Sequence, residues 1–383
     1  MCDILKHTTM KTGDKAMKKI HRTLSLFTVA AMCTALLCSC GEVPDSSRTD
    51  SSSKAATTTT ADTTADTTTT GEASSTASAT SAPDSSVSDS SSAVTDDTKT
   101  NGITPAMWKV TSPEGNTMVM LGSFHALKGE CYPLPEAVTN AYNNADILAV
   151  ECDITSTSED GEYMKNLMKQ MLYNDNTKLS QHISEEAYSA LQTYLGYWGM
   201  DISALEVYRP WAVSSTLDTL LIQDSDFDTE KGLDNFLLTT AHADGKEIYE
   251  VESVDFQLNM LINFSDDIYD LMFRSYEGET KESQKQALED LYTAWKSGDI
   301  ETFLEEDNEE ELAGYTEEDK KIAEDYNNQM LYDRNKNMAK AAEDLMSQGK
   351  NVFYVVGAAH YAGEGGIIDL LEKDGYTAER VQY

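Results

Sequence analysis

Two segments of the chain share one pattern, in which an apolar run ends at a glycine and a histidine follows three residues later. Gly122 and His125 follow "TMVML", and Gly357 and His360 follow "VFYVV". His360 comes 235 positions after His125. Because imidazole is the commonest metal-ligating side chain and a metal site needs several ligands, the repeated pattern favours a metal site.

The two histidines are predicted to lie just past the carboxyl ends of strands. A glycine there allows the backbone to turn sharply as it leaves the sheet, and ligands of open α/β sheets bind at that edge. If the two units pack side by side, the two rings converge. The alternative is a surface scaffold with incidental histidines, and it predicts that His125 and His360 lie far apart. His182 and His242, in polar or helical segments, are predicted to be surface residues.

Acidic residues follow two further predicted strands. Glu151 ends "ADILAV", Asp153 points to the same face two residues later, and Glu252 ends "KEIYEV". Acidic side chains at strand ends are often only solvated. Together with the histidines, however, Glu151 is the best third ligand, and Glu252 or Asp153 is the candidate general base.

These residue types suit a divalent ion that polarises a scissile carbonyl and lowers the pKa of a bound water. The chain has no His-Glu-x-x-His helix, so the site is not of the zincin type. Few ligands and several oxygens favour manganese or a similar ion over a closed structural zinc site.

An arginine lies on the apolar face of a long predicted helix. Thr316 and Asp319 form a capping box and Gly349 ends the run, so residues 317–348 are predicted to be helical. Arg334 lies at the centre of an apolar stripe formed by Ala323, Tyr326, Met330, Met338, Ala341 and Leu345. A buried guanidinium must be paired. It is either part of a structural ion pair or an active-site arginine that stabilises an oxyanion.

Strands alternating with helices predict an α/β fold with a mixed sheet, in which two related strand-Gly-x-x-His halves are covered by helices. The strand signals are a hairpin over 107–121 and runs at 145–153, 245–253, 350–360 and 376–382. The helical patterns cover 160–175, 184–197, 203–222, 229–243, 255–274, 280–305 and 317–348.

Residues 1–40 are predicted to be a lipoprotein signal peptide, with Met17 as the true start. A basic beginning is followed by an apolar stretch from Leu24 to Leu37 that is too short to span a bilayer. The end, Leu37-Cys38-Ser39-Cys40, resembles the lipobox of bacterial lipoproteins, in which the last cysteine is acylated. We therefore expect a protein anchored through Cys40 at the extracellular face of the cell membrane. The alternative is an ordinary signal peptide cut nearby.

The rest of the chain divides into a linker and a folded domain. Residues 41–103 are mostly Ser, Thr, Ala and Asp and are predicted to be a disordered tether, because they cannot bury enough apolar surface to fold. Residues 104–383 are predicted to form the domain. Residues 1–40 carry six basic and two acidic side chains, so their removal changes the formal net charge from −37 to −41. This charge repels nucleic acid and anionic lipid headgroups. It suits either solubility outside the cell or cationic partners, and solubility is the favoured interpretation.

Only two of the six cysteines, Cys131 and Cys152, fall in the predicted domain. In an exported protein they allow one disulfide, although the sequence does not show whether they are close. Neither lies in a local pattern that would activate a thiol nucleophile.

The pattern also resembles the TraB/GumN family, which is related to the Tiki metalloproteases. The matching segments span most of residues 104–383 and are Gly122 to His125 with "PLP" after it, "ECD" at 151–153, "RPW" at 209–211, "GLD" at 232–234, "EVES" followed by Gln257, "RNKNM" from Arg334, and "GAAHYAGEGGII" at 357–368. One mild departure is Tyr361, where the family commonly has leucine.

The resemblance implies a metal set of His125, His360 and Glu151, with manganese or cobalt favoured and zinc possible. It also implies that Arg334 and Arg209 contact the substrate or an intermediate. The sequence thus predicts a divalent-metal hydrolase, a peptidase that acts on peptides or exposed protein termini outside the cell. The alternative is a lipoprotein that captures a peptide, pheromone or haem without turnover, which would need no base beside the metal water.

Overall fold

A computed structural model of the chain describes residues 102–155, 161–304 and 315–383. The predicted signal peptide, Cys40 and nearly all of the predicted linker lie outside these residues. Across the described ranges, no helix combines the length and the apolar character needed to cross a bilayer.

A mixed six-stranded sheet forms the centre of the fold, and helices cover it, as the sequence predicted. The strand order is β4-β3-β5-β2-β1-β6. The neighbouring strands β4, β3, β5 and β2 are parallel, whereas β1 is antiparallel to both β2 and β6. The strands are β1 (Met107–Thr111), β2 (Thr117–Ser123), β3 (Ile147–Val150), β4 (Glu247–Glu250), β5 (Val352–Gly357) and β6 (Thr377–Arg380).

The strand order brings the two glycine-histidine units together. In the β2–β5 pair, Gly122 is opposite Val356 and Ser123 is opposite Gly357. On its other side β5 pairs with β3, and β3 pairs with β4. The carboxyl ends of these four parallel strands therefore lie along one edge, where ligands of open α/β sheets bind.

The helices agree with the predicted segments in place but differ at their ends. They are α1 (Glu136–Asn144), α2 (Gly161–Gln170), α3 (Glu185–Tyr197), α4 (Pro210–Gln223), α5 (Leu233–Asp244), α6 (Val254–Asn263), α7 (Asp266–Arg274), α8 (Lys281–Ser297), α9 (Glu317–Asn327), α10 (Asp333–Ser347) and α11 (Ile367–Lys373). The sequence analysis missed α1 and α11.

Two differences have clear physical causes. The segment predicted as a helix over 203–222 starts with a short 3-10 helix, Ile202–Leu205, and becomes α-helical only at Pro210. Proline suits the first helical position, and the preceding Arg209 is extended. The segment predicted as one helix over 255–274 is two helices, since the side chain of Ser265 caps a new helix by accepting a hydrogen bond from the backbone N–H of Ile268.

The long helix predicted over 317–348 is continuous but contains a π-helical turn. Thr316 and Asp319 form the predicted capping box at its start. The π-helical turn, Asn328–Tyr332, separates α9 from α10. Its extra residue shifts the buried stripe, so that Ala342 is fully buried while the predicted Ala341 is only partly buried.

Two hydrophobic clusters stabilise the fold. One surrounds the sheet and includes Phe353 and Tyr354 of β5. The other lies among helices and includes Trp211 and Leu261. Burial of a large apolar side chain contributes about 1.5–3 kcal/mol. Helix α4 joins the clusters, because Trp211 belongs to the second and Leu221 to the first.

Cys131 and Cys152 are both buried and free, so the disulfide that the sequence allowed is not formed. The thiol of Cys131 lies 3.1 Å from the hydroxyl of Tyr292. Cys152 lies instead beside Gln257, in a different part of the fold.

Candidate functional site

The two histidines of the repeated pattern line the same small cavity, at the carboxyl ends of β2 and β5. The cavity has a volume of about 60 Å³, and His125, His360, Glu151 and Arg334 are all in its lining. A surface scaffold with distant histidines is therefore excluded.

The sequence analysis expected the glycines of the pattern to allow a sharp turn. The structure shows instead that they are needed for close packing. Neither Gly122 nor Gly357 has a positive φ angle. A Cβ on Gly122 would lie 3.0 Å from the Cα of Ala358. A Cβ on Gly357 would lie 3.1 Å from Oε1 of Glu151 and 3.7 Å from Nε2 of His125. Gly357 thus leaves open the space between the site's polar groups.

Asp234 fixes the ring of His125. The Nδ1–H group of His125 donates to Oδ2 of Asp234 at 2.8 Å. Asp234 is placed by the start of α5, where the N–H of Leu233 donates to the carbonyl of Phe124 at 3.0 Å. Gly232 permits this approach, since a Cβ there would lie 2.1 Å from the carbonyl oxygen of His125. Burial lowers the pKa of His125, but the attraction of Asp234 outweighs it and raises the pKa to about 9.

Asn335 fixes the ring of His360. The side chain of Asn335 donates from Nδ2 to the carbonyl of Gly365 at 2.9 Å, so its Oδ1 is free to accept. That oxygen accepts the Nδ1–H of His360 at 2.6 Å. Burial, reinforced by Arg334, lowers the pKa of His360 to about 3. His360 is therefore neutral, and its Nε2 carries the lone pair that a metal ion requires.

Glu151 lies between the two histidines and is held on both oxygens. Oε1 accepts the N–H of Gly357 at 2.7 Å and is 3.7 Å from Nε2 of His360. Oε2 accepts from Nη2 of Arg334 at 2.7 Å and from Nε2 of Gln257 at 2.9 Å. Burial acts to raise the pKa of Glu151, but Arg334 and the histidines outweigh it and hold the pKa well below its usual range. Glu151 is thus permanently ionised.

Arg334 is buried and paired, as its position on the apolar stripe required. It binds Glu252 bidentately, through Nε and Nη2 at 2.8 Å each, and also binds Glu151. Its Nη1 donates to the carbonyl of Met330 at 3.1 Å. Four of the five N–H groups of a guanidinium are occupied in this way, and the side chain still borders the cavity. Arg334 therefore belongs to a buried ion pair and also lines the site.

The other predicted residues are not brought to the cavity. Glu252 is engaged by Arg334 and Gln257 and is not in the cavity lining. Oδ2 of Asp153 instead accepts a hydrogen bond from Nε2 of His242 at 2.8 Å. Arg209 precedes α4 and is not in the lining either. The two candidate bases are thus engaged by other side chains, and Arg209 lies outside the cavity lining.

Of the two remaining histidines, His242 is at the surface, as predicted, whereas His182 is only partly exposed. The side chain of His242 is 50% exposed, and that of His182 is 25% exposed. His182 lies 2.9 Å from Asp266, on α7.

Three polar residues that hold the site were not assigned a role from the sequence: Asp234, Gln257 and Asn335. Each lies in a segment that resembles the family, yet no local spacing connects it with its partner. The available signals were weak. Asp234 is an acidic residue in the first turn of a helix, and Asn335 is adjacent to Arg334.

The donor types in the cavity fit a divalent ion. The Nδ1 atoms of the two imidazoles are hydrogen-bonded to Asp234 and Asn335, as is typical of histidines that bind a metal through Nε2. The carboxylate of Glu151 borders the same space, which Gly357 leaves open. Negative charges exceed positive charges around the cavity. The carboxylates are those of Glu151, Glu252 and Asp234, and the cations are Arg334 and protonated His125. In the part of the chain that the structure describes, however, no three His, Cys, Asp or Glu side chains are already arranged as ligands of one ion.

Comparison with known proteins agrees with this fold. The profile of the TraB/PrgY/gumN family matches residues 106–380, which include every residue of the site. The chain therefore belongs to the TraB/PrgY/gumN family.

Several curated proteins are similar to parts of the chain. "Metalloprotease TIKI homolog" of Nematostella vectensis is 25% identical over 293 residues, which cover 65% of this chain and 61% of that protein. "Metalloprotease TIKI2" of Danio rerio is 25% identical over 164 residues, or 38% of this chain and 32% of that protein. "Uncharacterized protein YbaP" of Escherichia coli (strain K12) is 26% identical over 157 residues, covering 41% and 56%. The chain thus spans from about a third to three-fifths of these relatives. No solved structure shows a significant match.

Proposed function

We propose that this protein is a hydrolase that cleaves peptide bonds with the help of a divalent cation. The observation that carries the proposal is that His125, His360 and the ionised Glu151 border one small cavity at the ends of adjacent parallel strands. The relatives named metalloproteases support the reaction class.

The ion would be held by His125, His360 and Glu151, with manganese or cobalt preferred and zinc also accommodated. When bound, it supplies a Lewis acid for the substrate carbonyl and lowers the pKa of a bound water. Because His125 is protonated below its pKa of about 9, it would have to give up the proton on Nε2 before it could serve as a ligand.

The remaining residues hold these groups in place. Asp234 and Asn335 hold the two rings through their Nδ1 atoms, so that Nε2 is the nitrogen of each ring left to bind an ion. Arg334 keeps Glu151 ionised and offers its one remaining N–H, on Nη1, to a substrate oxygen. No separate carboxylate base is assigned, since Glu252 and Asp153 are engaged by Arg334 and His242.

Metal binding is tested on the purified full chain by elemental analysis after dialysis against manganese or cobalt. The double variant His125→Ala/His360→Ala should lose the bound ion. The matched control is His242→Ala, which removes a surface histidine whose side chain is 50% exposed. Equal metal content in wild type and the double variant would remove the metal from the proposal.

Hydrolysis is tested with a mixture of synthetic peptides and manganese, with products read by mass spectrometry. We expect cleavage by wild type and His242→Ala, and loss of cleavage in Glu151→Ala. Peptides that are retained by the protein but recovered uncut would instead support the capture function. The two readouts separate metal binding from turnover.

We also propose that the enzyme acts at the extracellular face of the cell membrane, on peptides or exposed protein termini. The support is the sequence pattern that ends at Cys40 and the strongly acidic composition. Expression of wild type and Cys40→Ser with radioactive palmitate tests the anchor. Label and membrane association should be lost in the variant, and a label equal in both would exclude acylation at this cysteine.

A further inference from the structure

The side chain of Gln257 lies between two carboxylates at the start of α6. Its backbone N–H donates to the carbonyl of Ser253, whose side chain caps this helix. The buried side chain donates from Nε2 to Oε2 of Glu151 at 2.9 Å and to Oε2 of Glu252 at 2.7 Å. Both protons of the amide group are thus used. Because ionised carboxylates only accept, the amide of Gln257 has one orientation.

Arg334 donates to the same two oxygens. Its Nη2 is 2.7 Å from Oε2 of Glu151 and 2.8 Å from Oε2 of Glu252. The four hydrogen bonds form a closed cycle, in which the NH₂ groups of Arg334 and Gln257 alternate with the two carboxylate oxygens. The cycle fixes the rotation of the Glu151 carboxylate. Its other oxygen, Oε1, is therefore turned towards His360, whose Nε2 is 3.7 Å away.

The orientation of the Gln257 amide leaves its oxygen facing Cys152. Sγ of Cys152 donates to Oε1 of Gln257 at 3.5 Å. An amide oxygen only accepts, and a thiol ordinarily keeps its proton at neutral pH, so the thiol is the donor. In the described ranges no other group donates to this oxygen. Cys152 is buried in the helical hydrophobic cluster, so little water is available to replace the thiol.

We propose that Cys152 and Gln257 are positioning residues for Glu151. The S–H group of Cys152 fixes the amide of Gln257, and Gln257 together with Arg334 holds Glu151 with Oε1 turned to the cavity. The inference rests on the proposed function and adds to it the residues that orient one proposed ligand. Both side chains are in the cavity lining, and the thiol acts there as a hydrogen-bond donor and not as a nucleophile.

The role of Gln257 is tested by the manganese affinity of the purified full chain, measured by isothermal titration calorimetry. Gln257→Met keeps the length of the side chain but removes its donors, and it should lower the affinity by about tenfold or more. The matched control is Gln284→Met. Gln284 is also buried, and its Nε2 donates to Glu279 at 2.9 Å, outside the site, so this variant should keep the wild-type affinity. Equal affinity in wild type and Gln257→Met would overturn the positioning role.

The role of Cys152 is tested by two substitutions that differ in hydrogen bonding. Cys152→Val removes the donor with little change in size, leaves a buried oxygen unpaired, and should lower the manganese affinity by about fivefold or more. Cys152→Ser retains a donor and should bind close to wild type. Cys131→Val is the control, because Cys131 is the other buried free cysteine and lies beside Tyr292. Equal losses in Cys152→Val and Cys152→Ser would overturn the donor role.

A second readout needs no metal and separates this inference from the hydrolase function. Glutamine side chains are labelled with ¹⁵N in protein kept in EDTA, and the Gln257 signal is assigned with Gln257→Met. Its NH₂ protons should exchange slowly with solvent in wild type and Cys152→Ser, and about tenfold or more faster in Cys152→Val.

The two readouts can fail independently. Slow exchange in wild type without any manganese binding would overturn the metal-dependent hydrolase while supporting the contact between Cys152 and Gln257. Equal exchange in wild type and Cys152→Val would overturn the role of Cys152, even if the protein binds manganese and cuts peptides.

Discussion

The side-chain oxygen of Asn335 accepts the Nδ1 proton of His360 at 2.6 Å, while the amide group of Asn335 is used by Gly365. The asparagine therefore has one orientation, and the imidazole has one tautomer. His125 and Asp234 form the matching pair on the other side of the cavity. Each proposed ligand thus has a partner that holds its ring.

Replacing Asn335 by leucine should release the tautomer of His360 and lower metal affinity or activity by about 10- to 100-fold, the usual cost of losing a partner of a metal-ligating histidine. Imidazole ¹⁵N chemical shifts check the cause, because wild type should show a protonated Nδ1 and the variant a mixture. Asn335→Asp, which retains the acceptor oxygen, should restore the tautomer. An unchanged ¹⁵N spectrum in Asn335→Leu would contradict the positioning role.

Replacing Arg334 by methionine should leave Glu151 and Glu252 buried without their cation. Removal of one partner from a buried ion pair costs about 3–5 kcal/mol in the free energy of unfolding. Urea denaturation measures this loss. The control is Lys336→Met on the same helix, where the lysine side chain is 65% exposed and pairs with Asp333, so its loss should cost at most about 1 kcal/mol. Similar values for both variants would show that Arg334 contributes no more than a surface charge.

Replacing Gly357 by alanine should fill the space between Glu151 and His125 without changing the backbone, since Gly357 has a φ of −52°. Metal content should fall while the far-ultraviolet circular dichroism stays constant. Gly196→Ala is the control, because it lies in α3 with open space around its Cβ position. This control should stabilise the protein by about 0.5–1 kcal/mol. Full metal binding by Gly357→Ala would place the ion elsewhere.

Stability of the metal-free protein should depend on pH through His125. Its folded pKa of about 9 lies above the ordinary value of 6.5. The ion pair with Asp234 therefore contributes fully below pH 6.5, and this contribution is lost as the pH rises towards 9. We expect a loss of up to about 3 kcal/mol over this window, from about 1.4 kcal/mol per pKa unit.

Urea denaturation at several pH values in the presence of EDTA measures this dependence. Asp234→Asn provides the comparison, because without the carboxylate the folded pKa of His125 is no longer raised. The difference in unfolding free energy between the two proteins should shrink as the pH rises. A difference that stays constant from pH 6.5 to 9 would contradict the ion pair.

The sequence predicted the elements of this fold better than their contacts. All six strands were found. The continuous apolar runs of β3 and β5 are clear signals, whereas β4 and β6 are short and mostly exposed and contain charged residues. The strand order was not readable, since pairing of β2 with β5 connects residues more than 230 positions apart. The missed α11 has only seven residues, too few for a clear helical period.

The same limit applies to the site. Glycine and histidine types predicted which residues face the carboxyl edge of the sheet. Arg334 was predicted to need a partner, but its partner Glu252 lies 82 positions away. No residue near Glu252 in the sequence indicated that its carboxylate pairs with an arginine. Glu252 was therefore predicted as a base although it is an ion-pair partner. Roles that depend on long-range pairs required the structure.

The central place of β5 has a consequence for when the proposed site can form. The strand enters the sheet between β3 and β2, although it comes from the last 32 residues of the chain. Until β5 is inserted, the sheet lacks a central strand. Glu151 then has no hydrogen bond from Gly357, and His360 is absent from the site. A partly synthesised polypeptide consequently lacks the proposed metal site, which forms only after the whole domain is complete.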